Sequence, residues 1–258
     1  MDILYENIMI EKKTPHIEIY HYESIDSTSS QLKRMIESDE NTEQYTVVTA
    51  FNQCGGRGQG ENRWSSSAGK NLTFSLLLRP MIDASSHFYL NMCISLGIKK
   101  ALERHIDRIK IKWPNDIYVN DRKLCGILIE STIKGTAIIR SVVGIGINIE
   151  QKKWEDWVPN PISLSMCGVQ NIDKDSLMRE IITSIHDMLS ILLDGEKEKL
   201  SALYHYVMYR KDTVALYNDI NGTFEGVIQG VDEGGRLIIK DYVTGEEKLY
   251  MFKEVRYL

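Results

Sequence analysis

From residue 52 to residue 70 the chain runs for about twenty positions poor in apolar side chains, between two segments that read as strands. Residues 45–51 are rich in β-branched side chains (Val47, Val48, Thr49), and residues 71–79 form an apolar run suited to a buried strand. A connection of this length with no apolar packing of its own is more often functional or disordered than merely connective. Its centre reads Gln53-Cys54-Gly55-Gly56-Arg57-Gly58-Gln59-Gly60-Glu61-Asn62-Arg63-Trp64, with four glycines in six residues and arginines on either side. Glycine lets backbone N–H groups converge on an anion, and arginine adds a charged fork for phosphate or carboxylate. The segment is not a Walker loop, because it lacks the terminal Lys-Ser/Thr and leads into a strand rather than a helix. A hairpin loop without a ligand would account for the glycines equally well.

The order of elements sets the fold class. Residues 16–22 alternate as a strand, and Asp26 or Ser27 offers an N-cap to a helix carrying Leu32, Met35 and Ile36. After the glycine loop and residues 71–79 come a helix over 88–102 and strands over 109–113, 117–119, 124–130 and 137–149. Helical patterns then fill residues 177–193 and 196–206. From about Thr213 short strands are joined by Asn221-Gly222, Gly234-Gly235 and Thr244-Gly245, the turn spacing of a small β-barrel. The expectation is an α+β chain: a mixed-sheet core with flanking helices over residues 1–210, and a small β-barrel over 211–258.

Bulk properties exclude several classes. With 43% hydrophobic and 26% charged residues, the composition fits neither a disordered chain nor a membrane protein. The apolar run 137–149 contains Arg140 and is short of the ~18 residues that a spanning helix needs. Residues 1–13 show no signal peptide. A net charge of −5 argues against a chain built for nucleic acid. Cys54, Cys93, Cys125 and Cys167 form no C-x-x-C pair, which suits a reducing cytoplasm, and no His-x-x-x-His or His-x-His pair suggests a catalytic zinc.

Two further segments could carry chemistry. In Lys112-Trp113-Pro114-Asn115-Asp116, Pro114 cannot join a central ladder, so it should break the strand and project Asn115 and Asp116. Lys123 then opens an otherwise apolar strand, where an ammonium is costly unless an anion meets it; a lysine snorkelling from a strand end is the other reading. In Gly144-Ile145-Gly146-Ile147-Asn148, alternate glycines imply close approach of a backbone or a flat ligand, or tight sheet packing alone. Ser27-Thr28-Ser29 reads by default as a helix cap.

In order and spacing these pieces resemble the biotin–protein ligase family. The resemblance rests on Asp26-Ser27-Thr28, Gln53…Gly56-Arg57-Gly58…Trp64, Lys112 to Asp116, Lys123-Leu124-Cys125-Gly126-Ile127-Leu128 and Gly144 to Asn148. It covers roughly residues 16–148, and more loosely the C-terminal strands. It implies a core like that of biotin/lipoate ligases and class II synthetases, followed by an SH3-like barrel. The implied activity is ATP-dependent formation of biotinyl-5′-AMP, then transfer of biotin to a lysine of a biotin carboxyl carrier protein. Biotin and ATP are then substrates, with Mg2+ assisting. Ser27, Thr28, Ser29 and Gln53 would hydrogen-bond the ureido ring, since a buried neutral heterocycle needs convergent donors and acceptors. Gly56, Arg57, Gly58, Gln59, Lys123, Gly126, Leu128 and Gly144 would complete the biotin site. Arg57, Trp64, Lys112, Asn115, Asp116, Lys123, Gly146 and Asn148 would hold ATP and the adenylate. Catalytic roles fall to Lys123, Arg57 and Asp116, with Asp116 as the Mg2+ ligand or the acceptor of the carrier lysine's proton.

One departure concerns the second loop arginine common in the family, here Gln59, with Arg63 in a different register. Too few residues precede the first strand for the helix-turn-helix of bifunctional members, so a monofunctional ligase is expected. The competing readings are a lipoate or octanoate attachment protein and a biotin-responsive DNA-binding repressor. Exposed strands could also pair two copies into a homodimer.

Overall fold

The computed structural model describes residues 14–258, so the reading of residues 1–13 falls outside the described residues. The chain opens with β1 (Glu18–Ile25), α1 (Thr28–Ser38) and β2 (Thr46–Gln53), with β1 and β2 parallel, as a helical crossover allows. Next come β3 (Leu72–Leu78), β4 (Ile82–Asp83) and α2 (His87–Leu102). Four strands follow: β5 (Ile109–Lys112), β6 (Asp116–Val119), β7 (Arg122–Lys134) and β8 (Ala137–Ile147). Two helices, α3 (Lys174–Leu193) and α4 (Lys197–Val207), complete the core. One eight-stranded mixed sheet results, ordered β1-β2-β3-β8-β7-β6-β5, with β4 paired to β8.

The period of two in β3 divides the sheet's faces. Phe74, Leu76 and Leu78 pack with Ile94 and Ile98 of α2 and Ile181 and Ile185 of α3 in the main core. Leu77 faces the other way, into a small cluster with Leu32 and Ile36 of α1, Val48 and Val142. Thr73 and Ser75 share that second face, polar positions within a strand that is otherwise buried and apolar. Helices α2 and α3 meet at Gly97, where a β-carbon would stand 2.7 Å from the Ile185 Cα; close packing offsets the roughly 0.5–1 kcal/mol that glycine costs inside a helix. Asp173 starts α3 as a true cap, accepting from the N–H groups of Asp175 and Ser176.

The C-terminal strands form a second, antiparallel sheet. Its members are β9 (Val214–Asp219), β10 (Gly222–Val231), β11 (Leu237–Asp241), β12 (Glu247–Tyr250) and β13 (Arg256–Tyr257), ordered β12-β11-β10-β9-β13. This is the all-β unit that the turn spacing predicts; among the described residues no ladder joins β12 to β13, so the sheet is open rather than a closed barrel. Its interior, including Tyr217, Ile228 and Ile239, is continuous with the main core. Trp113 fastens the two sheets, its Nε1 donating to the Gly235 carbonyl at 2.9 Å.

Two short elements escape the sequence reading, β4 and β13, because two residues are too few to show a period. The others agree to within a few residues, although β7 continues four residues past Glu130. No helix among the described residues is long and apolar enough to cross a membrane.

Candidate functional site

A cleft of about 490 Å3 lies over the middle of the large sheet. Its floor is made by β7 and β8, where Gly126 and Gly146 are direct partners in the ladder. A β-carbon at Gly146 would overlap the Trp64 indole, and one at Gly126 would sit 2.8 Å from its Cζ3. The flat object that alternate glycines admit is thus a side chain of the chain itself, Trp64. Gly144 serves a neighbouring need, since a β-carbon there would lie 2.6 Å from the Ser29 hydroxyl.

One group of lining residues is neutral and hydrogen-bonding. Ser27, Thr28 and Ser29 open α1 and are 3%, 3% and 4% exposed, too deep for a purely superficial cap. Ser27 occupies the N-cap position, yet its hydroxyl makes no capping bond. Gln53, at the end of β2, accepts from the Thr28 N–H at 2.9 Å and from its hydroxyl at 3.2 Å. Ser75 reaches across from β3, its Oγ 2.8 Å from the Thr28 Oγ1 and 2.9 Å from the Ser29 Oγ. The cap reading of this run therefore holds for backbone position alone.

Charged groups line the cleft as well. Strand β5 stops at Lys112 and pairs antiparallel with β6 from Asp116, so Pro114 lies in the turn between them, where no ladder N–H is needed. Asn115 is held by the Asn91 side chain, its Nδ2 donating to Asn91 Oδ1 at 2.9 Å. The Asp116 carboxylate meets Lys123, with 2.7 Å between Oδ2 and Nζ. Lys112 lies against Tyr118 and Tyr257; burial pushes its ammonium below the ordinary lysine value, while the Asp116 charge pulls it back up. Arg57 is paired with Glu130 of β7 at 2.8 Å, and Lys33 of α1 holds the same carboxylate at 2.6 Å. Six basic residues line the cleft (Arg57, Arg63, Lys112, Lys123, Lys253 and Arg256) against one carboxylate, Asp116, so it favours anions.

The glycine loop forms its own wall. An antiparallel bridge joins Arg57 to Arg63, and the Trp64 N–H donates to the Gly56 carbonyl at 3.0 Å. At Gly56 a β-carbon would overlap the Trp64 carbonyl, so this glycine lets the loop close on itself.

The structure brings most of the predicted residues together. Ser27, Thr28, Ser29, Gln53, Arg57, Gly58, Gln59, Lys123, Gly126, Leu128 and Gly144 line the cleft, as do Trp64, Lys112, Asn115, Asp116 and Gly146. Gly56 is not among the lining residues. Asn148 lines an adjoining cavity of about 470 Å3 instead, with Trp64, Lys123, Trp154 and Trp157. There its Nδ2 donates to the Ile162 carbonyl, while Oδ1 is buried without a partner among the described residues. The sequence reading missed Ser75 and the contribution of Phe252, Lys253, Val255, Arg256 and Tyr257 from the second sheet. The polar alternation of Thr73 and Ser75 in an apolar strand was a usable signal for Ser75; no motif marks the C-terminal residues.

The cleft thus combines buried hydroxyl and amide groups, several cations and a flat indole surface, groups suited to hydrogen bonding and to anions. The model of the biotin/lipoate A/B protein ligase family matches residues 22–148, and the chain belongs to that family. It is 31% identical over 207 residues to the bifunctional ligase/repressor BirA of Escherichia coli, covering 76% of this chain and 64% of the relative. The chain thus spans less than two thirds of that protein's length. Similarity to the biotin–[acetyl-CoA-carboxylase] ligase of Paracoccus denitrificans is 28% over 209 residues, 75% of this chain and 83% of the relative. The fold is that of the Aquifex aeolicus biotin protein ligase solved with biotin and ATP, with a TM-score of 0.76 at 23% identity, covering 93% of this chain and 99% of the other.

Proposed function

We propose that this protein is a biotin–protein ligase. It condenses biotin with ATP to biotinyl-5′-AMP, releasing pyrophosphate, and passes the biotinyl group to a lysine of a biotin carboxyl carrier protein, releasing AMP. The observation that carries this reading is a single cleft lined both by neutral hydrogen-bonding groups, Ser27, Thr28, Ser29 and Gln53, and by the cations Lys123 and Arg57.

Chemistry explains why both kinds of group are needed. A carboxylate is a poor electrophile, so one of its oxygens attacks the α-phosphorus and the resulting acyl phosphate carries a good leaving group. Two anions must be held within attack distance, which demands fixed positive charge. Lys123 stabilises the charge that builds between carboxylate and phosphate, and Arg57 assists once the substrate anions draw it from Glu130. Gly58 and Gln59 sit beside that carboxylate, Gly126, Leu128 and Gly144 flank the biotin, and Trp64, Gly146 and Asn148 lie toward the adenosine. In the second step the carrier amine attacks the acyl carbon, AMP departs, and Asp116 takes the amine's proton.

Magnesium enters with ATP as part of the substrate. Among the described residues no group of three His, Cys, Asp or Glu side chains could hold an ion. Asp116 is the single carboxylate lining the cleft, and one carboxylate with substrate phosphates suffices for this cation. We assign residues 1–210 to the catalytic unit and 211–258 to an accessory unit, and place the protein in the cytoplasm, where its four free cysteines fit. No nucleic acid or membrane enters this reading, and a homodimer is compatible with it but not required.

Exchange of labelled pyrophosphate into ATP tests the proposal. Exchange that depends on biotin and not on lipoate supports it; exchange with lipoate alone, or none with biotin, overturns it.

A further inference from the structure

Lys112 enters the cleft between two aromatic rings. Its Nζ lies 4.9 Å from the ring centroid of Tyr118 on β6 and 4.6 Å from that of Tyr257 on β13. It also donates to the Tyr118 hydroxyl at 3.2 Å. The nearby Asp116 carboxylate is engaged by Lys123. An ammonium that rests on ring faces has no carboxylate to leave before it meets an incoming anion.

The Tyr257 ring is itself fixed from behind. It stacks on Tyr209 at 6.2 Å with a 24° interplanar angle and meets Tyr217 edge-on at 5.4 Å. Its backbone pairs with Tyr217 in the ladder between β13 and β9. The Tyr257 hydroxyl is buried without a hydrogen-bond partner among the described residues, so the ring, not the oxygen, makes the useful contact.

We propose that Tyr257 is a positioning residue for Lys112: its ring aims the ammonium into the cleft toward the phosphates of ATP, and through this contact the second sheet acts on nucleotide binding. The inference rests on the ligase reading above for the identity of the anion, but the geometry it claims can be read without any activity.

The test compares Tyr257→Leu with Tyr257→Phe. Tyr257→Leu should raise the KM for ATP about tenfold, the weight of a largely desolvated cation–π contact, while kcat and the KM for biotin stay within about threefold. Tyr257→Phe, which keeps the ring, should rescue the KM for ATP. Adding Lys112→Met to Tyr257→Leu should cost little more, because the two act through one contact. Equal rises in both KM values, no rescue by Phe, or fully multiplicative effects would overturn the proposal. Independently, NMR of lysine-labelled protein should show the Lys112 ε-methylene protons shifted upfield by the rings, assigned with Lys112→Met. That shift should persist in Tyr257→Phe and shrink in Tyr257→Leu; an unchanged shift in folded Tyr257→Leu would overturn the positioning role. If the wild-type protein shows no biotin-dependent exchange, the ligase reading fails while the NMR result still decides whether Tyr257 positions Lys112.

Discussion

The ammonium of Lys123 stands 2.7 Å from the carboxylate of Asp116, both about one quarter exposed and both on the wall of the cleft. A cation at the mouth of an apolar strand needs an anion, and without substrate Asp116 supplies it. When carboxylate and phosphate arrive, Lys123 can turn to them and Asp116 is released for the carrier amine. Lys123→Met should therefore leave the fold intact, as read by circular dichroism, and slow adenylate formation by at least ~100-fold, the typical cost of one preorganised charge donor. Undiminished pyrophosphate exchange in the folded variant would remove Lys123 from the chemistry.

Gly146 should tolerate no side chain. A methyl group there overlaps the Trp64 indole, so Gly146→Ala should destabilise the protein by roughly 1–3 kcal/mol, the usual range for overpacking. Denaturant midpoints would show it. Trp64→Ala in the same background should recover part of the loss, and strict additivity of the two changes would mean that they do not meet.

Ser75 is predicted to matter for biotin although it belongs to no motif. Ser75→Val removes a partner shared by two buried hydroxyls: that of Thr28 keeps Gln53, whereas that of Ser29 is left without one among the described residues. The expected cost is about 1–3 kcal/mol of stability for the unsatisfied Ser29 hydroxyl, with weaker biotin binding by calorimetry. Biotin affinity equal to wild type would detach Ser75 from the site.

Acid should loosen the junction between the sheets. His205 accepts the Val231 N–H at 2.9 Å through Nε2, and burial holds its pKa below the ordinary histidine value. A depressed histidine favours the neutral form in the folded state, so its contribution is complete above about pH 6.5 and is lost as pH falls below that value toward the folded pKa. His205→Asn should flatten the fall in unfolding free energy between neutral and mildly acidic pH; an unchanged slope would contradict the assignment.

Much of this architecture was legible because its signals are local. The N-terminal cap of α1, the break at Pro114 and the turn pairs after Thr213 each act within a few residues, and each marks an element the structure contains. Gly144 and Gly146 were recognisable as points of close approach, but not what approaches them, since Ser29 and Trp64 arrive from segments whose paths the sequence does not specify. The pairing of Lys123 with Asp116 depends on the irregular register between β6 and β7, which no spacing rule supplies. Tyr257 and its neighbours were illegible for a related reason: they reach the cleft only because one sheet docks on another.

Formation of biotinyl-5′-AMP in this cleft is the property on which ligase activity depends. Purified protein incubated with biotin and MgATP, then examined by native mass spectrometry, should carry one biotinyl-AMP per chain, and the adduct should vanish in Lys123→Met. A wild-type protein that retains only unreacted biotin or ATP, or that forms the adenylate of lipoate instead, would contradict it.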